Sequence, residues 1–155
     1  MGETRELSVE RLIDAPAEAC WRAFSEHFEE WWCPRPWTTE VIEQDLRPGG
    51  RTAIVMRGPN GEEQRLEGVF LEVVPGRRVV STDAFRFGWI PQAPFMVGTW
   101  SFEPDGARTR YRASARHWTQ ESCDAHRAMG FEQGWSAVAE QLEAVARRLD
   151  SEGRA

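Results

Sequence analysis

Few side chains in this sequence are suited to acid–base or anchoring chemistry inside a protein, and they fall on predicted strands. His117 and Tyr111 lie on a segment whose charged residues, Arg108, Arg110, Arg112 and Arg116, share the other face. An imidazole that titrates near neutrality and a phenol in an apolar pocket could together move a proton, as in a cyclisation or dehydration. Asp83, on another apolar segment, is the third catalytic candidate. Arg11 shares a strand face with Val9 and Ile13, and a buried guanidinium needs a carboxylate or its desolvation costs several kcal/mol. Asp83 is its expected partner, either in an ion pair that fixes the sheet or in a ligand anchor. No Ser-His-Asp order, phosphate loop or pair of carboxylates on one strand accompanies these residues.

Composition removes other chemistries. All 19 basic residues are arginine, which excludes lysine Schiff bases, pyridoxal phosphate attachment and a phosphate-loop lysine. No cofactor is expected. Cys20, Cys33 and Cys123 are odd in number and widely spaced, the pattern of free thiols in a reduced, cytoplasmic chain. Cys20, His27 and Cys33 have irregular spacing and no fourth ligand, so no metal site is expected. A net charge of −6 disfavours nucleic acid and anionic membranes. No stretch is long and apolar enough for integral membrane insertion, and residues 1–6 hold no apolar signal core. Eight tryptophans in 155 residues supply large flat faces for packing or binding.

The elements that must position these groups follow from periodicity. Residues 5–13 alternate as a strand. Asp14-Ala15-Pro16 opens a helix with the apolar stripe Cys20, Ala23, Phe24, Phe28, and a second short helix around Trp31-Trp32 stops before Pro34. Period two then predicts strands at 39–46, 51–57, 63–74, 79–85, 95–103 and 108–118, parted by Gly- and Pro-rich turns. Thr119 caps one long helix over about 120–149, with Phe131, Trp135, Val138, Leu142, Val145 and Leu149 as its apolar stripe. Gly130 and Gly134 mark a close approach, and His126 is expected to face solvent.

These elements make an α+β protein in one domain, residues 1–155 with a core of about 5–149. A curved seven-stranded antiparallel sheet wraps the long C-terminal helix, and two short helices follow the first strand. Outward Glu6 and Glu10 facing the arginine row pair the first strand with the last. Alternation then assigns an aromatic-walled pocket. Arg11, Asp83, Tyr111 and His117 supply its polar points. Met56, Phe85, Met96 and Trp100 come from the sheet, Trp32, Phe131 and Trp135 from the helices, and Trp37, Phe87, Trp89 and Phe95 from the rim. Small Gly98, Ala113 and Ala115 leave volume. The alternative is a solid aromatic core.

The segments Asp14-Ala15-Pro16, Trp31-Trp32-Cys33-Pro34, Asp45-Leu46-Arg47-Pro48-Gly49-Gly50, Gly68–Pro75 and Gly130-Phe131-Glu132-Gln133-Gly134-Trp135 occur in an order and spacing that resembles the START-like superfamily. Within it, the chain is similar to the bacterial family named for the activator of the heat-shock chaperone ATPase. The resemblance covers about residues 5–149 and implies the helix-grip fold, a curved sheet closed on a C-terminal helix over a cavity. It does not imply one activity, because such relatives include lipid carriers, plant ligand-binding proteins, polyketide cyclases, coenzyme Q binders and a chaperone regulator.

Three functions follow as expectations. The first is binding or carriage of a small hydrophobic molecule. The second is a small enzyme of polyketide cyclase or dehydratase type using the same pocket through His117, Tyr111 and Asp83. The third is a protein-interaction module or chaperone co-regulator, although this chain resembles one of the chaperone activator's two domains and has no room for the other. The Trp-rich segment allows a homodimer.

Overall fold

A computed structural model describes residues 5–153; the expectation for the first residues therefore lies mostly outside the described part. The chain runs β1 (Glu6–Ile13), α1 (Ala17–Glu26), a 3-10 turn (Phe28–Glu30), β2 (Thr38–Gln44), β3 (Arg51–Arg57), β4 (Glu63–Val74) and β5 (Arg78–Thr82). A miniature ribbon of β6 (Phe85–Arg86) and β7 (Ile90–Pro91) leads into β8 (Met96–Asp105), β9 (Arg108–His117), α2 (Gln120–Ala128) and α3 (Phe131–Gly153). Seven strands form one antiparallel sheet in the order β1-β9-β8-β5-β4-β3-β2. This is the α+β helix-grip architecture.

The first strand does pair with the last. Glu6 lies opposite Arg116 and Glu10 opposite Arg112, and the Glu6 carboxylate accepts hydrogen bonds from both Arg112 and Arg116 at 3.0 Å. Partial burial alone would raise the Glu6 pKa, but these two guanidinium groups outweigh it and hold the carboxyl below its ordinary value.

Three sequence expectations need correction. The single helix over 120–149 is two helices. Thr119 does cap the first, its side chain accepting from the Ser122 amide at 3.0 Å. That helix stops at Met129, because Gly130 adopts a φ of +93°, a left-handed conformation that glycine enters without a Cβ penalty. The fifth strand ends at Thr82 rather than Phe85, where the chain leaves the sheet for the β6–β7 ribbon. His126 is buried rather than solvent-facing.

The helices load the sheet unevenly. They pack chiefly on β1, β8 and β9. There Ala19, Cys20, Ala23 and Phe24 of α1 meet Val138, Ala139, Leu142, Val145, Ala146 and Leu149 of α3 over Phe102 and Tyr111. The shorter α1 covers one end of the concave face and leaves the inner side of β3, β4 and β5 without a comparable lid. Small residues do not create this space. Ala113 and Ala115 are sealed in the packed half, and the room above Gly98 is taken by the Trp100 indole, whose Cη2 would lie 2.8 Å from an added Cβ.

Candidate functional site

The uncovered side of the sheet is a cavity of about 590 Å³, within the size range of small-molecule sites. Its floor comes from strand alternation: Thr52, Ile54 and Met56 on β3, Gln64, Leu66 and Gly68 on β4, and Ser81 and Asp83 from β5 and the loop after it. Its mouth is marked by Met129, which is 72% exposed.

The wall facing α3 is aromatic. Trp100 of β8 stacks on Trp135 of α3, ring centroids 6.0 Å apart and planes 12° apart. Trp32 meets both edge-on, at 5.7 and 5.3 Å. Phe28 stacks on the outer face of Trp32 at 5.3 Å. Such offset and edge-to-face pairs contribute about 0.5–1.5 kcal/mol each beyond their area burial, so the wall is stiff. Trp31, its neighbour in sequence, points the other way and is fully buried, its indole N–H donating to the Ala23 carbonyl at 2.9 Å. The Trp100 N–H is the one fully buried side-chain nitrogen or oxygen without a hydrogen-bond partner among the described residues.

Of the sequence-predicted ligand residues, Trp32, Trp37, Met56, Met96, Trp100 and Trp135 lie along this cavity. Arg11, Phe85, Trp89, Tyr111, His117 and Phe131 do not. Arg11 sits beyond the packed half, where its guanidinium donates twice to Glu143 Oε1, at 3.0 and 2.8 Å. Its partner is therefore Glu143 of α3 and not Asp83. The other Glu143 oxygen accepts from the Asp14 amide at 2.7 Å, so the carboxylate ties α3 to the end of β1 and the start of the turn that follows it. Tyr111 is sealed against Phe102 and Cys20, and burial pushes its phenol pKa far upward. Burial likewise raises the Cys20 thiol to about 11, leaving an unreactive sulfur. Phe85 and Trp89 pack on each other in the small ribbon, and Phe131 backs Trp135 from behind.

The three catalytic candidates do not converge. Tyr111 and His117 are outside the cavity. Asp83 lines it, but its Oδ1 accepts from the Phe95 and Met96 amides at 2.8 and 3.2 Å and so holds the start of β8. The three cysteines are buried and free, and no group of His, Cys, Asp and Glu that could hold a metal ion occurs among the described residues.

Sequence reasoning missed His126, which reaches the cavity from α2. Phe95, Phe131, Trp135 and His117 surround its ring, with centroids 4.9, 5.0, 6.0 and 5.1 Å away. Its burial, reinforced by the neighbouring His117, lowers its pKa from the ordinary 6.5 to about 4. The signal was available: Cys123 and His126 are three apart and both face inward on α2.

A bent antiparallel sheet gripping its C-terminal helix over an apolar cavity defines a START-like protein. The sequence agrees: the family model described as "Activator of Hsp90 ATPase homolog 1-like protein" matches residues 14–147, and the chain belongs to that family. A crystal structure of a Nitrosomonas europaea protein is similar at 32% identity and a TM-score of 0.87, covering 96% of this chain and 97% of that one. The solution structure of an Arthrobacter aurescens protein shares the fold at 23% identity and TM-score 0.81, covering 94% and 87%. An AHSA1 protein of Silicibacter pomeroyi shares it at 21% and 0.69, covering 90% and 95%. A search of curated proteins finds no match to the sequence. No helix among the described residues is long and apolar enough to cross a membrane.

Proposed function

We propose that this protein binds and carries a small hydrophobic molecule in the cavity between β3–β5 and α3. The observation that carries the reading is the half-filled interior: about 590 Å³ stands open beside a stiff tryptophan wall. Apolar surface of this kind gains free energy by losing water to a ligand, at roughly 25 cal/mol per Å². The family supports it, since the START-like fold commonly holds hydrophobic ligands.

The test uses the cavity's own chromophores. Native mass spectrometry of freshly purified protein should show an added mass that disappears on denaturation. Emptied protein should then change its tryptophan emission on titration with lipids and aromatic compounds, because Trp32, Trp100 and Trp135 would touch the occupant. A protein that carries no added mass and responds to no compound sinks the reading.

A further inference from the structure

The two buried histidines fix the hydrogen-bonding polarity of the cavity. His117 Nδ1 lies 2.9 Å from the Arg5 carbonyl oxygen, and His117 Nε2 lies 2.9 Å from His126 Nδ1. A carbonyl only accepts, so His117 carries its proton on Nδ1. In the neutral ring, Nε2 is then an acceptor, and His126 must donate to it from Nδ1. One nitrogen remains, His126 Nε2, and it holds a lone pair. That atom has no hydrogen bond among the described residues. It is not sealed either, because the Trp100 N–H alone among the described residues is both fully buried and unpartnered. His126 itself lines the cavity. Burial, with the neighbouring His117, keeps the His126 ring itself neutral at neutral pH.

We propose that His126 Nε2 is the acceptor that orients the ligand, and that the site takes a hydrophobic molecule bearing a hydroxyl or N–H donor in preference to the carboxylate of the same skeleton. This rests on the cavity-binding reading above. A carboxylate offers Nε2 a second lone pair and no proton. Asp83 on the floor adds negative charge, while Arg35, exposed at the mouth, carries the competing guanidinium.

Calorimetric titration at neutral pH with a naphthol, its methyl ether and the matching naphthoate separates the outcomes. The naphthol should bind about three- to tenfold more tightly than the ether, which lacks only the donor, and the naphthoate should bind most weakly. In His126→Phe the naphthol's advantage over the ether should vanish. Equal affinity for naphthol and ether in the wild-type protein overturns the inference and leaves the cavity reading standing. A preference for naphthoate does the same and shifts the anchor to Arg35. Failure of all three to bind overturns the inference, and the cavity reading falls with it when the purified protein also carries no added mass. The wild-type comparison decides the matter even if the variant does not fold.

Discussion

Neutrality of the His126 ring has a cost at low pH. Its folded pKa of about 4 lies below the ordinary 6.5, so the unfolded chain takes up the proton first as pH falls. The ring's contribution to stability is complete above about pH 6.5 and is lost progressively towards pH 4, by about 3 kcal/mol in all. Urea midpoints measured across that window should fall steeply for the wild-type protein and less for His126→Phe; parallel slopes would contradict the burial argument. Other residues were legible in part. Alternation placed Met56, Met96 and Trp100 on inner faces, and all three reach the cavity. It placed Tyr111 and His117 inward too, and their faces are right, but face alone does not say which end of the sheet is hollow. Arg11 shows the same limit: its need for a carboxylate was readable, whereas Glu143 becomes its partner only once α3 lies across β1.

At the scale of elements, β3 and β4 were readable to the residue because period-two alternation runs between strong turns. The break between α2 and α3 was not, because the apolar spacing through Phe131 and Trp135 continues past it and only Gly130 interrupts. The two glycines once grouped together now separate. Gly130→Ala forces a Cβ into a φ of +93° and should destabilise the fold by about 1–2 kcal/mol. Gly134→Ala lies inside α3, where the new methyl meets Pro34 Cγ at 3.5 Å, an ordinary contact. It should stabilise by up to about 1 kcal/mol through helix propensity. Chemical denaturation of both variants checks the opposite signs.

At the scale of the molecule, the uneven loading of the sheet is the property no periodicity reveals, because it depends on where a ten-residue α1 runs out. Ser81 points from β5 into the hollow. Ser81→Trp should occupy the space without disturbing the half packed by α1, so thermal stability holds or rises while affinity for naphthol falls at least tenfold. Retained affinity would place the ligand elsewhere.

The stacked pair Trp100–Trp135 separates a finished interior from an unfinished one. On the finished side every apolar group already has its neighbour. On the other side the missing neighbours can only be supplied by a visitor, so an occupant acts as a removable piece of core. Amide exchange in β3 and β4 should therefore slow when the visitor arrives by more than it does in β1 and β9, which gain only the rise in global stability.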